Sequence, residues 1–533
     1  MRARALAVAA VLLLAPTAAP GQSAAPPADA PPLAAAQGFV LRGLRLTSDR
    51  MLDQAALDRI AGPFLGRVVG VEEVEEIRQQ VSLAMVERGY LNSGAVVPDQ
   101  TVTDGVLTLQ AIEGRITGIE LSGAHWFRES YIRGRLRRGL GIPFRVQDLE
   151  LQQRLLLNDP LLRQLNLDIQ PGLAPGEARL FGQVTEAWPF ALTAQVANNQ
   201  SPTLGGVRGQ LQGAIGNLLG VGDVLVLQYG QSAGLDDGAV AYSVPVASDD
   251  TRLNLRFDIN GAVVVSQVAR DLGIESRFDS VAVGLSRPFW RTPEHRLLLG
   301  ASAEWRRART FLLGEPFSFV EGASAGHTNV TVLRAYQDWL DQTADHVVAL
   351  RSTFSLGVKA LGATVTAERP TGRFFVWLGQ GQYVQRLFGD WEFVLRGALQ
   401  LTPNPLFPIE QFVFGGLGTV RGYREYLTAT DNALNASLEL RIPVARLPLP
   451  WTAAESSAGL LQLVPFFDRG AGWNTGRPTP PFSHLTSVGV GLRWLVAERT
   501  AAEIYYGYGL KPVHLDNTLQ DQGIHFRIVA GLL

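Results

Sequence analysis

A chain of 533 residues with 47 Lys+Arg and 49 Asp+Glu carries a net charge of −2; it is 46% apolar and 18% charged, with 56 glycines and no cysteine. That length implies several folding units, and the near-zero charge argues against a nucleic-acid partner. Mean hydropathy is +0.09, and the sole sustained apolar run, Ala5 to Ala15, falls short of the roughly 20 residues a membrane-spanning helix needs, which excludes a polytopic helical membrane protein. Glycine at about 10.5% against a usual ~7% favours a turn-rich β protein, without saying whether its apolar residues line a core or face lipid.

Met1-Arg2-Ala3-Arg4 is a short basic segment, Ala5 to Ala15 has the length of an export signal, and Ala18, Ala19, Ala24 and Ala25 offer small residues for cleavage. Residues 1–25 are therefore expected to direct export; an anchor helix is the alternative that the length disfavours. Without cysteine there is neither a lipid-modified anchor nor a disulfide. Residues 26–37, mostly Ala and Pro, read as a flexible leader.

Gly43-Leu44-Arg45-Leu46-Thr47 recurs 75 residues later as Gly118-Ile119-Glu120-Leu121-Ser122. The same offset maps Leu65-Gly66 onto Leu140-Gly141, and Val71 to Glu75 onto Val146 to Glu150, so 38–114 and 115–187 are expected to be tandem copies of one αβ unit. In the first copy alternation predicts a strand near Phe39 to Leu46. Val71, Val74, Ile77, Val81 and Ala84 fall on one helical face, Gly89-Tyr90 stops that helix, and Gly105 to Ala111 closes the unit as a strand. In the second copy the helical pattern ends at Pro160, and Ile169-Gln170-Pro171-Gly172 is expected to turn into a strand around Leu180 to Val184. Each copy is expected to have a free sheet edge, which can accept an extended peptide as an added strand; the alternative is a spacer with protected edges.

From residue 188 onward the period is two. Leu253, Leu255, Phe257 and Ile259 interleave with Asn254, Arg256, Asp258 and Asn260, and Leu434, Ala436, Leu438, Leu440 and Ile442 with Asn435, Ser437, Glu439 and Arg441. Segments of about ten such residues between Gly, Pro, Asn and Asp clusters are what a transmembrane β-barrel requires. Lipid satisfies no backbone N–H or C=O, so a spanning sheet closes on itself with its polar side around a wet lumen. Residues 188–533 number 346 and suit about 16 strands. The alternative, a β-sandwich with the apolar face inward, would normally split into several domains at this size. The expected fold is thus α+β tandem domains followed by an antiparallel barrel lying against outer-membrane lipids.

Between two barrel-like stretches lies Glu410 to Tyr423, with glycines at 415, 416, 418 and 422 that permit a tight hairpin with positive φ. Arg421 stands near its tip between Val420 and Gly422-Tyr423. If this hairpin enters the lumen, Arg421 needs an acceptor. Phe466, Asp468 and Gly470 share one face of a strand, so Asp468 can receive Arg421 beside a gap left by Gly470. A solvated loop arginine and an aspartate in a turn remain equally open on these grounds.

The same residues carry a resemblance. The chain resembles outer-membrane transporters of the two-partner secretion family (TpsB, the haemolysin-activator or ShlB/FhaC-like type), within the larger outer-membrane assembly superfamily. Gly89-Tyr90 and Val97-Pro98-Asp99-Gln100 look like the family's first polypeptide-transport-associated (POTRA) domain, and Pro171-Gly172 through Pro175-Gly176-Glu177 like the end of its second. Asn217 to Asp223 looks like the first periplasmic turn of the barrel. Val420-Arg421-Gly422-Tyr423 resembles the motif at the tip of the sixth extracellular loop, whose Arg in the family pairs with an Asp at the position of Asp468. The resemblance implies a periplasmic POTRA pair that binds a secreted partner exoprotein of the TpsA type, an outer-membrane pore, and barrel assembly machinery for the chain's own insertion. Leu533 departs from the aromatic ending common in such barrels, and the short, Pro-rich leader offers no obvious counterpart to the plug helix present in some family members.

Gly322-Ala323-Ser324-Ala325-Gly326 matches the Gly-x-Ser-x-Gly pattern of hydrolases, but no helical pattern follows it, and a loop of small residues explains it. Seven scattered histidines without an H-x-x-x-H pair signal no metal, and Gly379-Gln380-Gly381 lies in a strand pattern without a following Lys, so neither nucleotide nor other cofactor is expected and the chain does not read as an enzyme. Export of one large unfolded protein is the favoured function. A factor that inserts other barrels is the alternative from the same superfamily, and a diffusion porin with appendages is a third reading.

Overall fold

The computed structural model describes residues 38–532 apart from 268, 321, 324, 366–369, 451–457 and 514–517. The export signal, the leader, Ser324 and Leu533 therefore lie outside the described residues. The chain divides into two units. The first comprises the described residues up to Ser82 with Ala95–Ala111; the second comprises Leu83–Gly94 and the described residues from Ile112 on.

In the first unit Gly43–Leu46 lies parallel to Val106–Ile112, which has Gly94–Val96 on its other side. Helices Gln54–Ala61 and Val71–Glu87 belong to this αβ copy. Ile77 and Val81 are fully buried at the expected helical spacing, whereas Val71 is 70% exposed, so the buried face starts one turn later than the apolar spacing suggests. Gly89, with φ +93°, follows the helix.

The second unit opens with the second αβ copy: strand Arg115–Ser122, helices Glu129–Leu136 and Val146–Leu157, and strands Leu162–Pro171 and Glu177–Glu186. Helix Gln54–Ala61 returns 75 residues on as Glu129–Leu136, in the register of the repeat, an element pair that neither the apolar pattern nor the matching blocks single out. One expectation is corrected. Ile169, Gln170 and Pro171 are not a turn but the end of a strand, because Leu162, Leu165, Leu167 and Ile169 bury their side chains against the helices; the chain turns between Pro171 and Glu177. The stretch from Pro171 to Glu177 is accordingly the bend of the last hairpin of this copy. Glu177–Glu186 is the central strand, so Arg115–Ser122 and Leu162–Pro171 are the outer strands of this sheet.

Sixteen antiparallel strands then close into a barrel. In chain order they are β1 Phe190–Ala197, β2 Arg208–Gly216, β3 Val224–Gln231, β4 Leu235–Pro245, β5 Arg252–Val263, β6 Glu275–Arg291, β7 His295–Leu312, β8 His327–Gln342, β9 His346–Val358, β10 Phe375–Arg386, β11 Glu392–Leu401, β12 Asn432–Arg446, β13 Leu460–Trp473, β14 His484–Ala497, β15 Thr500–Gly509 and β16 Ile524–Gly531. The two-residue strand Glu315–Pro316 extends the edge of β7. Closure is made where β16 meets β1, from Arg527 opposite Ala197 to Gly531 opposite Thr193. Leu255, Phe257 and Ile259 of β5 are 40%, 42% and 52% exposed, so the apolar side of the alternation faces outward, as it must in lipid and not in a sandwich. Trp290 and Trp339, 5.7 Å apart at the periplasmic ends of β6 and β8, contribute to an aromatic belt.

The second αβ copy is fastened to the periplasmic turns of the barrel. Arg128 N–H donates to Gly220 O at 2.8 Å, and Arg138 Nη1 to Ser248 O at 3.0 Å. Asp250, in the turn between β4 and β5, accepts from Arg135 of helix Glu129–Leu136 and from Arg291 Nη1 at 2.5 Å; Arg291 Nη2 reaches back to Leu155 O at 3.2 Å. Tyr131 packs under the Arg135 guanidinium, 3.6 Å from ring centroid to Cζ, and burial pushes its hydroxyl up to about 12, so it stays neutral at physiological pH. Loss of a charged bridge of this kind weakens a docked pair by about 2 kcal/mol. Asp250→Asn is expected to speed release of the αβ copies by proteinase K while the barrel keeps its heat-modifiable migration; an unchanged cleavage rate would mean that Asp250 does not hold this junction.

Candidate functional site

The loop between β11 and β12, residues 402–431, is the sixth on the extracellular side, and it folds back against the inner wall. Phe412–Phe414 and Thr428–Thr430 pair as a short ribbon, and beyond it Gly415 and Gly416 adopt φ +109° and +103°. Gly422 has φ +87°. Gly418 is not among the positive-φ residues and a Cβ there meets nothing, so of the four hairpin glycines it is the one without a conformational reason.

Arg421 is 3% exposed and Asp468 of β13 is fully buried. The contact is threefold: Arg421 N–H and Nε donate to Asp468 Oδ2 at 3.0 and 2.8 Å, and Nη2 to Oδ1 at 2.8 Å. Nη1 donates to Glu439 Oε1 at 2.7 Å and Nη2 to Ser437 Oγ at 3.1 Å, both on β12. Phe466 lies under the guanidinium with its centroid 3.7 Å from Cζ, and Tyr505 of β15 stands at 4.9 Å. Glu439 is also within 3.4 Å of Arg396 and 3.5 Å of Arg441, and Arg441 is within 3.1 Å of Glu392. Three cations therefore meet three anions. An unpaired guanidinium would not persist at such depth; here every charge has a partner.

The rest of the tip is held as closely. Tyr423 OH donates to Thr486 O at 3.0 Å and accepts from Lys511 N–H at 3.1 Å. Gly422 N–H donates to His525 Nε2 at 3.1 Å, which makes Nε2 the unprotonated ring nitrogen. Val420 packs with Phe414, Tyr423 and Leu485. A Cβ on Gly470 would come within 2.7 Å of Phe414 and 2.9 Å of Val420, so the gap it leaves is filled by those side chains rather than by Arg421. Beyond the tip Arg424 forks onto Asp521 at 2.8 and 2.7 Å, and Glu425 N–H donates to Gln520 Oε1 at 2.9 Å.

Val420, Arg421, Gly422, Tyr423, Phe466, Asp468 and Gly470 thus lie together. Glu439, Ser437, Tyr505, His525 and Gly507 complete the site without having been singled out. For Glu439 and Ser437 a signal existed, since both stand on the polar face of the β12 alternation. Gly507 had a weaker one, in Gly507-Tyr508-Gly509. Ala325 and Gly326 lead directly into strand β8, not into a helix. Among the described residues no group of three or more His, Asp or Glu could hold a metal.

The model of the haemolysin secretion/activation protein ShlB/FhaC/HecB family matches residues 176–494, and that of the ShlB-type POTRA domain matches 39–114. The chain belongs to this family. It is an outer-membrane transporter of the two-partner secretion type, with its POTRA region in the periplasm. The outer membrane transporter CdiB of Dickeya dadantii (strain 3937) is 24% identical over 430 residues, 77% of this chain and 74% of its own length. Among solved structures, CdiB from Escherichia coli superposes with a TM-score of 0.68 at 18% identity, covering 95% of this chain and 93% of that one. BamA from Haemophilus ducreyi lacking POTRA domains 1–3 follows the same fold at a TM-score of 0.56 and 14% identity, covering 93% of this chain and 100% of that one.

The tip approaches the wall at two facing glycines. A Cβ on Gly507 would stand 2.6 Å from Gly422 N and 2.8 Å from the Arg421 carbonyl carbon. Gly507→Val is therefore expected to lift the tip and cost at least two charged hydrogen bonds, roughly 3 kcal/mol, or about 100-fold faster amide exchange at Arg421 to Tyr423. Exchange at the wild-type rate would show that the wall tolerates the added side chain.

Proposed function

We propose that this transporter recognises one large, partly unfolded exoprotein of the TpsA type and passes it from periplasm to cell surface, and that loop 6 gates the passage. Residues 1–25 direct export and are removed, 26–37 form a leader, 38–114 and 115–187 are the two POTRA domains, and 188–533 form the barrel. The client's N-terminal region adds to an outer strand of the POTRA sheets, which hand it to the barrel mouth. Backbone pairing suits a client that arrives unfolded, since it needs no preformed surface. The chain acts without catalysis or nucleotide; direction comes from folding of the client outside, where newly buried apolar surface disfavours return.

The observation that carries this reading is the seat of Arg421: a loop tip held in a buried, charge-balanced network against the inner wall of a barrel that follows tandem αβ domains. Val420, Gly422 and Tyr423 set the tip against the wall, and Phe466, Asp468 and Gly470 form its receptor. Arg421→Ala strands Asp468 and weakens the network by about 3–5 kcal/mol. It is expected to abolish secretion of the partner while the barrel remains heat-modifiable in the outer membrane, and secretion at the wild-type level would sink the role given to the tip. Arg421→Lys is expected to fail as well, because an ammonium cannot span Asp468 and Glu439 as the planar fork does. Depletion of the whole transporter should remove one exoprotein from the medium; a loss of many outer-membrane barrels would instead support an assembly function.

A further inference from the structure

Loop 6 has a second ionic attachment, at its stem, with the opposite polarity. Glu410 ends the short helical turn Pro408–Glu410, and its side chain is only 4% exposed. Arg334 Nη2 of β8 donates to both of its oxygens, at 3.2 and 3.0 Å, and Arg306 Nη1 of β7 donates to Oε1 at 3.0 Å and to Ile409 O at 3.2 Å. Glu304 completes the set: it accepts from Arg334 Nε at 3.0 Å and lies 3.1 Å from Arg306 Nη2. Two arginines of the wall thus share two glutamates, one from the wall and one from the loop.

The stem around Glu410 is also seated by apolar contact. Leu406 and Phe407 are fully buried with Val330, Val332, Phe374 and Val376. Val330 and Val332 have the same parity as Arg334 in β8, whereas Leu333, between Val332 and Arg334, is 47% exposed on the lipid side. Two valines on the inner face break the polar-in rule, and they do so where the stem covers them. At the tip the loop supplies the cation and the wall the acids; at the stem the loop supplies the acid and the wall the cations. The two ends cannot exchange seats without placing like charges together.

We propose that Glu410 is a second positioning residue of loop 6, which holds the stem on β7 and β8 and keeps the lumen closed at rest independently of the Arg421 tip. This inference rests on the reading that loop 6 occupies the transport path. The test uses the purified full-length protein in planar lipid bilayers without any client. Glu410→Gln keeps the shape but leaves the arginines short of one charge, and its steady conductance is expected to rise several-fold over wild type with heat-modifiable migration retained. The exchange Glu410→Arg with Arg334→Glu restores one cation and one anion across the same gap and is expected to bring conductance back towards wild type, a rescue that general destabilisation would not give. Wild-type conductance in Glu410→Gln, or a double variant as open as the single one, would overturn the proposal. If Glu410→Gln does not fold, Arg306→Gln decides, since it spares the Arg334 pair: raised conductance supports the stem seat and an unchanged value overturns it. Because no client is present, flat conductance here would remove the stem seat alone, whereas normal secretion by Arg421→Ala would remove the gating reading itself.

Discussion

Lipid forms no hydrogen bonds with a backbone, and the architecture from Phe190 onward answers to that fact. A sheet in the membrane has no permissible edge, so β16 must return to β1 and the chain must enclose a space. Enclosure sorts side chains by parity, with Leu255, Phe257 and Ile259 turned to lipid and the opposite parity turned inward. It also makes the inner wall a place where charges are affordable, provided they find one another. Arg421, Glu439 and Asp468 meet there because strand geometry brings residues 437, 439 and 468 to one inner surface: Ser437 lies directly opposite Asp468 in the β12–β13 register, and Glu439 opposite Phe466.

A loop folded against that wall needs room where backbones touch and partners where side chains meet. Gly422 and Gly507 supply the room, and Gly470 admits Phe414 and Val420. The partners are distributed around the barrel: β7 and β8 for the stem, β12 and β13 for Arg421, β14 for Tyr423 through Thr486, and β16 for Gly422 through His525. The loop between β15 and β16 adds Asp521 and Gln520, and Gln520 in turn donates to Asn198 and Gln200 beyond β1. Residues distant in sequence therefore hold one another through a single loop, which couples its position to the closure of the barrel.

Much of this is legible in the sequence, and the limits have physical causes. Period-two alternation exposes the barrel because lipid imposes a uniform outer face; β5 and β12 can be read residue by residue. The repeat of 75 residues exposes the αβ copies, although its three matching blocks leave the helices Gln54–Ala61 and Glu129–Leu136 unmarked. Ile169 to Pro171 misleads because a Pro-Gly pair marks the bend but not how far the preceding strand runs; burial of Leu165, Leu167 and Ile169 decides that. Gly418 misleads because glycine permits a positive φ without requiring one. Asp468 is legible through parity with Phe466 and Gly470, while Tyr505 and His525 are not, since their approach to residue 421 depends on where the loop lies across the sheet. The stem is hidden for the same reason: Val330 and Val332 look like an interruption of the pattern until Leu406 and Phe407 cover them.

The choice of ion pairs for both seats has its own logic. Replacing buried ion pairs with well-packed apolar groups is often neutral or stabilising, so stability alone does not account for a charged seat. What charges provide is a single register together with a tolerable released state. A guanidinium and a carboxylate that separate in a lumen filled with water regain hydration, which offsets part of what the contact supplied. An apolar seat of equal hold would, on release, leave its whole surface in water at about 25 cal/mol for each Å² and collapse onto the nearest apolar patch, including any unfolded client in transit. The opposite polarity of tip and stem extends the argument to specificity, for Arg421 on Arg334, or Glu410 on Glu439, would be repelled. If loop 6 leaves its place and returns to it, as the proposed gating requires, paired charges of unlike order guide it better than grease.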